Sequence, residues 1–492
     1  MTESITASND RHKRAAPDSV TIFSYAWALQ ALVQLVFYRV WFEEGLALGW
    51  IYMLLTLAVF VFPGKIRLFG AMLVAGIFYY LSIWPYVVNH VLLDPVVSIT
   101  MLTALGIMFG RRSLSRQGFS REDAEAWFSK FAPVLGAMFA FVYFSIIISK
   151  LNWAFFDLDI SCLSGMIEEA EANRPLVSPL LGLFKVEFYF WFFMVAETLL
   201  PIMLAFRRTR LAAFYFGVPF HLLLGLMGHW PFSAFMLALY ILVAMPSLKE
   251  TLRPYVERAD NMRQNLLPAL SGTVAFAILN VLVLLSAWVL KPSITWLLWS
   301  SVFAAAMLLG AVREHLRHGL FGGTGTIDMW VKKPGILWIA LAVTVVNSAS
   351  PYIGFKTTTS VAMYSNMRTE GNINNHLFMP ATPIFGFQND LVEIIDSNND
   401  EILELKSHIA KYGYVGQEFP VYQVYFELRR AVGNIEDENL EITYTRNGEL
   451  RTFKRGATDN VDSNLDVPAP LILRKIAYFR PVFKGDTSYC LH

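Results

Sequence analysis

The sequence is poor in charge. Of its 492 residues, 16% are Asp, Glu, Lys or Arg, against roughly 25% in an ordinary soluble domain. Its 40 basic and 39 acidic residues leave a net charge of +1, which excludes the basic footprint of a nucleic-acid binder. Cysteine is nearly absent, with Cys162 and Cys490 as the whole complement. That excludes a zinc spacing, a CxxC motif and an iron–sulfur ligand set, so no metal is expected. HExxH, GxSxG, the Walker motif and GxGxxG are all missing, which removes support for soluble-type hydrolase, kinase and dinucleotide readings. There is no internal repeat and no low-complexity tract. No cleavable leader is expected either: residues 1–19 are polar, and the long apolar stretch after them lacks a small-residue cleavage site.

Apolar residues are abundant instead. They make up 55% of the chain, with 15% aromatics and 13 Trp, and the mean hydropathy is +0.45. They fall in runs of roughly 17–22 residues, the length that crosses hydrocarbon. Candidate spans lie near 20–40, 47–62, 68–87, 95–110, 132–150, 186–206, 211–228, 231–247, 270–291, 296–312 and 335–354. The expected fold is therefore an all-α polytopic membrane bundle of about eleven spans with a small extramembrane C-terminal α+β domain. Residues 1–19 form a polar tail, 20–354 the bundle and 355–492 the outer part.

Basic residues gather in alternate loops. Arg11, Lys13 and Arg14, then Lys65 and Arg67, the segments 111–121 and 207–210, and the loops 248–264 and 313–333 share one face. Glu43, Glu44, Asp94 and the acidic stretch from Asp157 to Glu171 occupy the other. The positive-inside rule then places the N-terminus in the cytoplasm and the C-terminal domain outside the cytoplasmic membrane. Both cysteines fall on that outer side, where a Cys162–Cys490 bridge is permitted; two independent thiols are the alternative. The segment 354–380 is polar and is expected to run along the outer membrane face. In the tail, 440–456 reads as a hairpin turning at Asn447-Gly448, and 424–432 and 470–479 read as short helices.

Charged side chains inside spans cost roughly 2.5–3.5 kcal/mol on insertion scales and point to function by default. Lys150 ends the fifth span, Glu197 and His221 lie mid-span, and His90 follows Asn89 at the outer mouth of the fourth. Each has a plain structural reading: a snorkelling lysine, a carboxylate paired with Arg207, a histidine satisfied in the core, a headgroup-level loop residue. Together, an amine, a carboxylate and two imidazoles at similar depth suit a proton-handling site. Desolvation disfavours an ammonium, so a lysine in low dielectric is a candidate general base.

These residues carry a resemblance. YFSIIISKLN (143–152) is similar to the segment around the catalytic lysine of the vitamin K-dependent γ-glutamyl carboxylases, with Lys150 on the base. VVNHVLL (87–93) resembles their Asn-His segment, and the spacing from Glu197 through Arg210 to His221 also matches, with Glu197 in place of an aspartate. SKLNWAFFDLDISC, ETLLPIMLAFRRTR, PFSAFMLALY and MYSNMRTEGNINNHL resemble the bacterial horizontally transferred transmembrane (HTTM) proteins more closely, although Ser149 stands where many of them carry histidine. The resemblance covers about residues 20–380.

The resemblance implies a lyase-type enzyme using vitamin K hydroquinone or another reduced quinone with O2 and CO2. Lys150 would be the base, His90, Glu197 and His221 catalytic or supporting groups, and Asn89, Asn152, Trp153 and Arg210 cofactor contacts. Membrane lipids are the expected partners, with a protein or peptide substrate on the outer face. The alternative is a non-catalytic lipid- or quinone-binding protein that presents its outer domain to a partner. A transporter reading lacks the internal repeat it would call for.

Overall fold

The computed structural model describes residues 18–38, 40–85, 89–109, 119–249, 325–409, 418–458, 460–485 and 487–490, with a few single positions between 252 and 296. The expected spans 270–291 and 296–312, the N-terminal tail and most of the basic loops lie outside the described residues.

The described part is mostly helical. Its apolar helices are α1 (Ser19–Tyr38), α2 (Ala47–Val61), α3 (Ile66–Ile83), α4 (Asn89–Phe109), α5 (Arg121–Lys150), α7 (Val186–Ala205), α8 (Arg210–Leu226), α9 (Trp230–Val243) and α10 (Ile339–Ile353); α6 (Cys162–Asn173) is more polar and connects α5 to α7. Six segments are long and apolar enough to cross a membrane: α1, α3, Val91–Phe109 of α4, α5, α7 and Gly335–Ile353, which ends in α10. At 1.5 Å per residue, their 18–30 residues reach about 27 Å or more, the thickness of the hydrocarbon layer. The apolar helices α2, α8 and α9 are shorter.

The expected fifth span is the second half of the longest helix. Ser120 starts α5 with a capping box: its hydroxyl accepts from Asp123 N at 3.1 Å, and the Asp123 carboxylate accepts from Ser120 N at 3.0 Å. At the same end of the bundle, Glu125 of α5 accepts from the backbone N and hydroxyl of Ser19, and Lys249 pairs with it at 2.5 Å. Thirty residues later α5 reaches Lys150 at the opposite end. Gly354 closes α10 with φ 77°, and a Cβ there would stand 2.1 Å from the Phe385 carbonyl, so glycine is required.

The C-terminal part forms an antiparallel sheet of β1 (Leu391–Ser397), β2 (Ser407–Ile409), β3 (Glu418–Val424), β4 (Glu441–Arg446), β5 (Glu449–Lys454) and β6 (Val482–Phe483). The strand order is β2-β3-β1-β4-β5, with β6 paired to β3. Asn447 and Gly448, at φ 55° and 78°, turn β4 into β5 as expected for a type I′ hairpin. The helices α11 (Tyr425–Asn434) and α12 (Leu471–Ile476) follow the expected positions. Val392, Ile394, Leu428, Val432, Ile442 and Phe453 bury themselves in a core separate from that of the bundle.

Two expectations fail here. Asp94 is not a loop residue: it lies in the second turn of α4, buried, and accepts from Gln30 Nε2 at 2.6 Å. The buried amide supplies the hydrogen bond that water would give in a loop. Nor does the first part of 354–380 run along a surface. Residues 356–370 are mostly buried between the bundle and the sheet, where side-chain amides satisfy the backbone.

Candidate functional site

Lys150 and Glu197 come together. The last residue of α5 turns inward, and its Nζ lies 2.5 Å from Glu197 Oε2 on α7; the two side chains are 4% and 12% exposed. Lys150 is therefore no snorkelling lysine. Its partner is Glu197, whereas Arg207 pairs with Asp328 at 3.9 Å. Two further features surround the amine: the C-terminal carbonyl end of α5, and the face of Phe155, whose centroid is 5.5 Å from Nζ.

A cavity of about 30 Å³ adjoins the pair, walled by Ile146, Met166, Phe193, Phe232, His229 and Tyr364. Its polar groups are Lys150, Glu197, His229 and the Tyr364 hydroxyl, which meets His229 Nδ1 at 3.1 Å. His229 Nε2 faces Met166 Sδ at 2.9 Å. The space suits roughly two waters and is too small for a quinol ring, so a reduced quinone does not fit the site in this conformation.

His221 belongs to a neighbouring cluster. Its Nε2 meets the Tyr143 hydroxyl in a short contact, and that hydroxyl lies 3.0 Å from Tyr240 OH. His221 Nδ1 is buried with no partner among the described residues. Phe232 lies between the clusters: it lines the cavity and packs edge-on against the His221 ring at 5.5 Å. Gly217 lets Tyr240 approach, since a Cβ there would stand 2.1 Å from its hydroxyl.

Other expected contacts lie elsewhere. Asn152 is fully buried as a structural clamp. Its Oδ1 accepts from Phe155 N at 2.9 Å, and its Nδ2 donates to the Ser149 and Ser365 carbonyls. Both ends are thus consumed before any ligand arrives. Trp153 is 72% exposed and turned away from the cavity, because the short helix that Asn152 caps points its first residue outward. Arg210 donates to the carbonyls of Leu204, Ala205 and Ile327. It caps α7 eleven residues before His221, about 16 Å along α8, so it does not reach the cavity. The backbone of Asn89 and His90 begins α4; their side chains fall outside the described residues.

His229, Tyr364, Tyr143 and Tyr240 were not expected. His229 sits in the gap between two apolar runs, and Tyr364 in a polar stretch far downstream, so neither stands out as a charge in a span. Tyr143 precedes Lys150 by seven residues, two helical turns on one face, which is the one signal available.

The segment after α10 locks this end of the bundle. Cys162 and Cys490 form a disulfide with Cα atoms 4.9 Å apart. Asn366 accepts from Cys162 N at 2.7 Å and donates to the carbonyls of Ile160 and Ser488. His376 Nε2 donates to the Ile148 carbonyl at 2.8 Å, and burial holds this imidazole below its usual range. Burial also pushes Lys356 down to about 7; among the described residues its amine donates to Thr359 alone, at 3.2 Å. Among the described residues no three His, Cys, Asp or Glu side chains converge as metal ligands.

Compared with protein-family models, curated proteins and solved structures, the chain has no match in any of the three.

Proposed function

We propose that this chain is a cytoplasmic-membrane enzyme in which the Lys150–Glu197 pair takes a proton from a lipid-borne hydroxyl, the first step of a carboxylase-like quinol oxygenation. The observation that carries the reading is the pair itself: an amine and a carboxylate 2.5 Å apart, desolvated beside a small, mostly apolar cavity. Two basic atoms sharing one proton can accept another once the pair shifts it. Removal from water strengthens every electrostatic contact inside the site. The HTTM and carboxylase resemblance supplies the substrate class, with a reduced quinone, O2 and CO2. Because the cavity holds only about two waters, a quinol would need Phe193, Phe232 or Tyr364 to move first.

The topology belongs to the same proposal: about eleven spans, N-terminus in the cytoplasm, sheet domain outside, as the distribution of basic loops implies. The Cys162–Cys490 bridge supports it, since disulfides persist in oxidising compartments.

The test is direct. Purified protein in nanodiscs is given reduced vitamin K with labelled bicarbonate, and epoxide and fixed label are measured. Wild type should form epoxide and Lys150→Ala should not; a Lys150→Ala variant with undiminished epoxidation sinks the lysine's role. An open apolar groove of about 480 Å³ along Phe188, Trp191, Val195 and Phe216 favours a second reading, a non-catalytic lipid- or quinone-binding protein. That reading expects tight quinone binding without turnover.

A further inference from the structure

We infer that the outer domain lies in the outer leaflet through a collar of apolar side chains, so that its partner surface is the membrane itself. Six exposed residues carry the inference: Trp153, Phe184, Phe378, Ile384, Leu471 and Ile472, of which Ile384 and Ile472 are 74% and 73% exposed. They come from four separate parts of the chain. Singly exposed apolar residues are unremarkable on a protein surface, but five of these lie in segments bonded to helix ends.

Three of the four segments have their own pin. Trp153 N donates to the Asn375 carbonyl, and Leu377 N donates to the Leu151 carbonyl, one residue past the end of α5. This fixes both Trp153 and Phe378 at the Lys150 end of the bundle. Thr382 N and Phe385 N donate to the carbonyls of Tyr352 and Ile353 at 2.8 and 3.0 Å, which sets Ile384 beside the end of α10. Lys475 Nζ donates to the carbonyls of Ser82 and Trp84 at 3.0 and 2.7 Å. The ammonium caps the C-terminal end of α3 and holds α12, with Leu471 and Ile472 on it, against that span's mouth. Phe184 precedes α7 by two residues and stacks near Phe188 at 4.4 Å.

An apolar rim at the level where spans end is continuous with the lipid-facing surface of the bundle. Trp and other aromatics favour this interfacial depth. Arg474, beside Leu471 and Ile472, suits a phosphate headgroup. A short helix with apolar residues toward the acyl chains and basic residues at headgroup level is the pattern of an interfacial anchor. The collar would hold the domain at one height over the Lys150 cavity. The inference rests on the helices spanning a bilayer and not on any chemistry at Lys150.

The experiment uses nitroxide labels on single cysteines, introduced with the native Cys162–Cys490 bridge left intact. Full-length protein carrying Ile384→Cys or Ile472→Cys is placed in phosphatidylcholine–phosphatidylglycerol nanodiscs. Power saturation then compares collisions with O2, which partitions into lipid, and with a water-soluble nickel chelate. Val195→Cys on the exposed face of α7 is the bilayer control, and Leu450→Cys on the sheet's edge strand is the aqueous one. The expected result is that labels at 384 and 472 follow the bilayer control, with nickel collisions several-fold below those at 450. Nickel collisions equal to those at 450 overturn the collar, as does protection from both reagents, which would mean a protein partner. If Val195→Cys itself is nickel-accessible, the spanning reading fails as well, which separates the two.

Discussion

Lys150 and Glu197, 47 positions apart in sequence, share a 2.5 Å contact across the packing of α5 on α7. Removing one partner strands the other charge in a largely buried site. Breaking a buried pair costs about 3–5 kcal/mol, whereas replacing both partners with apolar residues is often neutral. Lys150→Met and Glu197→Leu should therefore each lower the thermal midpoint in detergent markedly. The double variant should recover most of the loss. An additive double variant would show that the two side chains are energetically independent.

The Cys162–Cys490 bridge ties the last described residue to the start of α6 across a sequence separation of 328. A disulfide typically contributes about 2–4 kcal/mol. Cys162→Ala, Cys490→Ala and the double variant should lose the same stability, because each removes the same single bond. Wild type under reductant should match them. The check is thermal unfolding beside a non-reducing gel; unequal single variants would assign the effect to packing at one site.

Much of this was legible because hydrocarbon imposes long apolar runs. Lys150 and Glu197 stand out as charges within such runs, and Asn447-Gly448 announces its hairpin through backbone chirality. What was not legible depends on contacts between distant segments. Nothing local distinguishes Arg210, which caps a helix, from an arginine that reaches a ligand. Asn152 looks like a cofactor contact until its bonds to Ser149, Phe155 and Ser365 are seen. Asp94 lies beside Pro95 and reads as a loop residue, yet Gln30, 64 positions earlier, accommodates it in the core. His229 reaches the cavity from the turn before α9, and Tyr364 because 356–370 folds inward, against what its polar composition argues.

The sheet domain should carry a pH dependence of its own. Glu427 is buried in α11, and burial pushes it up to about 7 against the opposing attraction of Arg430 and the Phe479 amide. A carboxyl raised in the fold binds more protons folded than unfolded between its usual value and 7. Stability from this group therefore falls as pH rises from about 4.5 to about 7, and is flat below. Glu427→Gln should flatten that slope. Hydrogen exchange of the β1 and β4 amides across this range measures it; an unchanged slope in the variant would place the dependence elsewhere.

Asn366 offers a separation of strain from bonding. It sits at φ 49°, a left-handed backbone that costs a residue with a Cβ roughly 1–2 kcal/mol, less for asparagine than for alanine. Its side chain also makes three buried hydrogen bonds, to Cys162 N and to the carbonyls of Ile160 and Ser488, at 2.7–2.9 Å. Each is worth about 1 kcal/mol, and more where a buried partner is left bare. Asn366→Gly keeps the conformation at no steric cost but loses the bonds, so its loss reports them: about 3 kcal/mol. Asn366→Ala loses the bonds and adds the backbone penalty, so it should fall below the glycine variant by about 1 kcal/mol. Thermal midpoints of the two variants in one detergent decide this. If alanine and glycine are equal, the left-handed backbone carries no strain here; if both match wild type, the clamp between the α5–α6 loop and the bridged tail is not what holds the outer segment down.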